Sequence, residues 1–228
     1  MLYNGRDDVE NLIKEGKKMM RVTFFKKVTL VITFTTLLLA GCGSSSPQVE
    51  FYTLNPLIGM QGQVNTAESN QKLSIGVGPV EIPKILDRPQ IVTRNGQNKV
   101  NIHEYHRWAV RLDKILARVL AENLSLLLDT DQVALYPWQL DFKPHYRVAL
   151  AIRHFEGQWG KDVLLEAVWS VSGQQGQQTN SIRESIINAG PLSTEADYEA
   201  LVAAHNRAIA QLSREIVQEI QNLQSGKN

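Results

Sequence analysis

Along this chain the spacing of apolar residues switches between two periods, and each switch marks an element. Leu73, Ile75 and Val77 alternate with period two, which predicts a strand over residues 73–80; Pro79 and Pro83 make its end an edge or a bend. A shorter strand is expected at Phe51-Tyr52-Thr53-Leu54, with a polar loop over residues 59–71. Residues 91–94 and 99–102 flank Asn95-Gly96 and predict a hairpin. From residue 104 to 128 the period becomes helical: Ala109, Leu112, Leu116, Val119, Asn123 and Leu127 form a stripe, widened by Trp108, Ile115, Leu120 and Leu124. Asp129-Thr130-Asp131 is the stop. After a short strand at residues 133–136, two long alternating runs follow. Tyr146, Val148, Leu150 and Ile152 share one face of the first; Val163, Leu165, Ala167, Trp169 and Val171 share one face of the second. A turn-rich GQQGQQ segment leads to a weaker strand over residues 179–188. Residues 194–224 return to helical spacing through Tyr198, Leu201, His205, Ala208, Leu212, Ile216 and Ile220, with Ser193 or Thr194 placed to cap the first turn. Two amphipathic helices on one antiparallel sheet make a two-layer α+β sandwich.

The start of the chain obeys different rules. Residues 28–39, VTLVITFTTLLL, form an uncharged apolar run too short to span a bilayer, which takes about 20 residues. Arg21, Lys26 and Lys27 precede it and Leu39-Ala40-Gly41-Cys42 closes it, the layout of a secretory signal. The ending resembles the bacterial lipobox. In such signals signal peptidase II cuts before a cysteine that carries diacylglycerol, so Leu39, Ala40 and Gly41 are the expected recognition residues and Cys42 the lipid attachment site. Gly43 rather than Asp follows the cysteine, which in enterobacteria-like sorting predicts delivery to the periplasmic leaflet of the outer membrane. Residues 1–18 are acidic where a signal is basic, so translation is expected to begin at Met19 or Met20. The expected organisation is a signal over 1–41, a lipidated tether over 42–48 and one periplasmic domain over 49–228.

The full chain of 228 residues carries a formal charge of +1, and the part after residue 41 has 17 basic and 19 acidic residues. That balance offers no bulk attraction to nucleic acid. One cysteine excludes an internal disulfide and a cysteine-based zinc cluster. Gly76-Val77-Gly78 lacks the third glycine of a phosphate-binding turn. His103-Glu104-Tyr105-His106 places its second histidine one position early for the HExxH zinc pattern, so hydrogen-bonded or solvated histidines are the expectation. His205, on an apolar stripe, reads as a core histidine, and Trp108 and Trp169 as core. No catalytic group, metal ligand set or cofactor site is indicated.

One segment is more specific. Ile82-Pro83-Lys84-Ile85-Leu86-Asp87-Arg88-Pro89-Gln90-Ile91-Val92-Thr93-Arg94, continuing to Glu104-Tyr105-His106-Arg107-Trp108-Ala109, resembles the PqiC/YmbA family of ABC-type transport auxiliary lipoproteins. The resemblance extends over nearly all of residues 42–225. It departs after Trp108-Ala109, where the family pattern has an acidic residue and a proline and this chain has Val110-Arg111. The resemblance implies a compact α+β domain similar to the N-terminal domain of TolB. It also implies a non-enzymatic outer-membrane lipoprotein working with a periplasm-spanning MCE-domain (PqiB-like) protein and its inner-membrane partner in lipid transport and envelope integrity. Because Pro83 and Pro89 restrict the residues before them, the segment between is expected as a rigid exposed loop. Asp87 and Arg88 there either pair locally or meet a partner; with Gln90 and Arg107 they form the candidate partner surface. A symmetric partner would invite a homo-oligomeric dock. The competing class is a periplasmic lipoprotein that carries a small lipid in a pocket between sheet and helices.

Overall fold

A computed structural model describes residues 19–20, 26, 47–57, 73–139, 141–173 and 180–226. The chain divides into two compact units, Met1–Pro47 and Gln48–Asn228. Of the first, Met19, Met20 and Lys26 are helical. Everything below concerns the second. Residues 39–42, the whole of the expected loop over 59–71 and residues 174–179 lie outside the described residues.

Among the described residues of the second unit, eight strands and two helices follow in the order β1 (Glu50–Tyr52), β2 (Ile75–Glu81), β3 (Gln90–Arg94), β4 (Val100–Trp108), α1 (Leu112–Leu128), β5 (Val133–Leu135), β6 (Tyr146–Gln158), β7 (Val163–Gly173), β8 (Asn180–Ala189) and α2 (Tyr198–Gln224). β6, β7 and β8 form the expected antiparallel meander, with Trp169 opposite both Leu150 and Arg183. β7 alternates strictly between buried and half-buried residues, as a strand with one face on a core must. The sheet as a whole is mixed rather than antiparallel. β2 runs parallel to β5 and β6, β1 parallel to β4, and the end of β6 parallel to β3. Parallel neighbours need a long crossover, and α1, lying between β4 and β5 in the chain, supplies one. β6 is the hub: β7 follows almost its whole length on one side, while β2 takes its first half and β3 its last two residues on the other.

The expected 104–128 helix is shorter at its start. Residues 104–108 stay in β4, because β1 pairs there through Glu50–His106, Phe51–Arg107 and Tyr52–Trp108, and an irregularity between Gln90 and Ile91 lets β3 follow the longer strand. α1 then opens at Leu112 without a side-chain cap and closes at Asp129, which takes the left-handed conformation tolerated by Asp. α2 likewise begins later than the expected residue 194, at Tyr198 where its apolar pattern starts, capped by Asp197 through its bond from the Ala200 N–H. Neither Ser193 nor Thr194 caps it. Leu192 is buried and its N–H binds the Lys161 carbonyl, which holds the preceding segment against the β6–β7 turn.

Both helices cover the same face of the sheet, α1 over β2 and β5 and α2 over β6, β7 and β8, and they touch each other. Gly157 marks the tightest point between layers, since a Cβ there would collide with Leu201 of α2. Trp108 and Trp169 are buried as expected. The chain after β1 is held by both helices at once. Leu54 is fully buried, its carbonyl accepts from Arg118 at 2.8 Å, the Asn55 N–H donates to Asn206 and the Leu57 N–H donates to Asn123. Asn123 is wholly buried and also donates to Ser213 of α2 at 3.0 Å. It therefore ties the start of the domain to both helices. Asn123→Leu should keep the shape but strand the Leu57 N–H and take away the donor to Ser213, whose hydroxyl still donates to the Ile209 carbonyl, lowering unfolding free energy by about 2 kcal/mol in a denaturant titration.

Candidate functional site

The loop between β2 and β3 is shaped by one carbonyl. Pro83 O accepts from the N–H groups of Leu86 (2.9 Å) and Asp87 (3.2 Å), the Arg88 N–H returns to Leu86 O, and Leu86 is buried beneath the turn. The loop ends on Pro89, whose carbonyl accepts from the Trp108 N–H at 2.7 Å. Asp87 is thus presented outward from a fixed frame, and its carboxylate pairs with Arg111 at 3.3 Å. Arg111 also donates to Asp113 at 3.0 Å; that bond first, then the charges of Asp113 and Asp87, raises its pKa. Arg88 turns its Nε into a buried position where no acceptor meets it among the described residues.

Gln90 and Arg107 lie directly opposite each other across β3 and β4. Glu104 joins them, accepting from the Gln90 amide at 3.1 Å through its carboxylate and from Arg107 Nε at 2.8 Å through its carbonyl. All four predicted surface residues consequently gather at one corner, where β3 starts, β4 ends and α1 begins. Three of them enter two small polar clusters, Asp87–Arg111–Asp113 and Gln90–Glu104–Arg107, while Arg88 joins neither and turns its Nε inward. Arg111, Asp113 and Glu104 were not among the predicted surface residues. Arg111 is the residue before α1, and from there it makes the ion pair with Asp87.

His103 and His106 share β4 and enter a polar-aromatic cluster. His103 bonds Thr93 through one ring nitrogen and Tyr198 through the other, each at 2.8 Å. Burial first, and the nearby His106 second, lowers its pKa. His106 stacks on the Tyr198 ring with centroids 3.5 Å apart, and its Nδ1 lies 3.1 Å from the Tyr52 hydroxyl. That hydroxyl donates to Glu50 at 2.5 Å; burial and then Glu50 push its pKa well above the usual phenol range. These contacts join β1, β3, β4 and α2, and the ring nitrogens described are engaged in hydrogen bonds. His205 sits in the core with Nδ1 2.8 Å from Leu201 O and Nε2 3.2 Å from Phe155 O.

The sequence profile of the ABC-type transport auxiliary lipoprotein component matches residues 52–217. Among curated proteins, none matches the chain. Of solved structures, an uncharacterized protein aligns with a TM-score of 0.58 at 20% identity, over 76% of this chain and 99% of its own. Protein XCC0632 from Xanthomonas campestris, of the DUF330 family, aligns with a TM-score of 0.53 at 19% identity, over 80% of this chain and 97% of its own. At these identities the likeness is one of fold.

Proposed function

We propose, because this chain belongs to the family of ABC-type transport auxiliary lipoproteins, that it is the outer-membrane docking subunit of an MCE-type lipid pathway. In this reading Cys42 carries the lipid anchor on the periplasmic face of the outer membrane. The domain acts without catalysis, receiving a periplasm-spanning, PqiB-like partner whose inner-membrane component completes the path. Several copies around a symmetric partner would belong to the same scheme.

The observation that carries the proposal is the corner around Asp87. A loop framed by Pro83 and Pro89 presents a charge outward, and Gln90, Glu104 and Arg107 continue the polar surface along β3 and β4. Exposed ion pairs of this kind add little to the stability of a fold, whereas charges at an interface select partners and direct encounter. Joint reversal, Asp87→Lys with Arg88→Glu, is expected to lower capture of the MCE-domain protein from detergent-solubilised envelopes at least tenfold. Lys99→Glu, on the exposed β3–β4 turn, should leave capture unchanged. Unaltered capture by a folded double variant removes the corner from the interface.

A further inference from the structure

A cleft of about 460 Å³ opens between the first half of α1 and the β2–β5 edge. Val77, Val80, Ile115, Ala117, Leu135 and Pro137 give it an apolar lining. From its size, lining and position we propose that this cleft holds a single fatty-acyl chain. The inference deepens the lipid-pathway reading above and rests on it for the presence of acyl chains nearby.

Size is the first argument. At roughly 30 Å³ for a water-sized group, the cleft has room for on the order of 15 such groups, comparable to the volume of a common fatty-acyl chain. A helix, about 10 Å across, could insert side chains only.

The backbone supplies the second argument. An extended peptide needs main-chain partners when it adds to a sheet. Here the Val77 carbonyl already accepts from the Tyr136 N–H at 2.8 Å, Val77 pairs with Leu135, and Val80 pairs with Leu150 of β6. Pro79 and Pro137, which complete the wall, have no N–H. A peptide strand would find this ladder interrupted by two prolines, while a hydrocarbon chain needs no ladder at all.

Charge at the rim is also satisfied internally. Arg118 bonds Glu122 and the Leu54 carbonyl, and Asp113 is shared by Arg111 and Lys114. The cleft therefore selects apolar length rather than a charged head.

Position is the last argument. Thr53 borders the cleft, and it stands only eleven positions after Cys42. Fully extended at about 3.3 Å per residue, that stretch reaches roughly 36 Å. An acyl chain can thus come from a bilayer phospholipid or from the protein's own Cys42 anchor.

A photoreactive benzoylphenylalanine in place of Leu135, in the full-length lipoprotein in intact cells, tests the inference. The expected result is a lipid adduct formed on illumination and reduced at least tenfold by Ala117→Trp, which fills the cleft. Ala117→Met is read in parallel in case the larger ring disturbs α1. An adduct labelled by radioactive phosphate identifies a phospholipid. A cross-linked peptide joining residue 135 to the Cys42 lipopeptide identifies the anchor. The inference is overturned by a protein adduct, by no adduct, or by one that both Ala117 variants leave intact. A lipid adduct together with unaltered partner capture by the Asp87/Arg88 variant would retain the cleft and discard the docking corner; the reverse pair of results would do the opposite.

Discussion

Cys42→Ser is expected to abolish incorporation of labelled palmitate and to leave an unprocessed precursor. The reason is chemical: diacylglycerol is transferred to a thiolate, and the chain has no second cysteine to receive it. The effect on location should be large because several acyl chains act together. Each buried methylene contributes about 0.8 kcal/mol, so one chain binds a bilayer marginally whereas two or more hold it stably. Without the anchor, the processed and lipidated protein should vanish from the outer-membrane band of a density gradient. The mass of the accumulated precursor also reports the start site: a product beginning at Met19 or Met20 agrees with the acidic, signal-unlike character of residues 1–18, while one that retains Leu2 contradicts it. Persisting palmitate on the variant would mean attachment elsewhere and would remove the basis for an anchored docking subunit.

The domain's layers were legible in the sequence because both depend on periodicity. Val163, Leu165, Ala167, Trp169 and Val171 alternate, and they all face the core; Leu201, Ala208, Leu212, Ile216 and Ile220 recur at helical spacing, and they all face the sheet. Periodicity tells which face is buried but not which strand lies alongside or in what direction. The parallel pairing of β2 with β6 joins segments some 70 residues apart and leaves no local trace. The tail of β4 shows the same limit in another form. Trp108 and Ala109 extend the stripe of α1, yet backbone pairing with β1 and β3 outweighs the helical pattern up to Trp108.

The candidate corner was readable for the same reason in reverse. Pro83 and Pro89 act locally, so the loop that presents Asp87 could be drawn from sequence; Gln90 faces Arg107 only because the irregularity after Gln90 shifts the hairpin's register, which leaves no mark in the sequence. What could not be drawn was the partner of Asp87. Arg111 lies beyond the whole hairpin, and only the fold brings its guanidinium within 3.3 Å. Asn123 is similar: its place on an apolar stripe signalled burial, but not that Leu57 and Ser213 would meet its amide from two different directions.

The core histidine makes stability depend on pH. His205 is 1% exposed, and burial lowers its pKa to about 4; the carbonyls of Leu201 and Phe155, which favour the protonated ring, oppose that shift without overcoming it. Neutral imidazole has one N–H, so only one of the two carbonyls receives a hydrogen bond at neutral pH. In the unfolded chain the ring titrates near its ordinary value of 6.5, so between pH 6.5 and about 4 the unfolded state binds the proton more tightly. The stability associated with a neutral His205 is therefore complete above pH 6.5 and declines through that window. The difference in pKa corresponds to roughly 3 kcal/mol by pH 4, large against the 5–15 kcal/mol typical of a domain. His103, also lowered by burial, adds a change of the same sign. His205→Gln keeps an amide that can donate to a carbonyl but cannot take up the proton. Denaturant unfolding from pH 7 to pH 4 should show the unsubstituted protein losing roughly 3 kcal/mol more than this variant, with the divergence starting near pH 6.5. Parallel curves would mean that the ring gains a proton inside the folded domain as readily as in water, and that the enclosure made by Trp108, Phe155 and α2 opens before the domain unfolds.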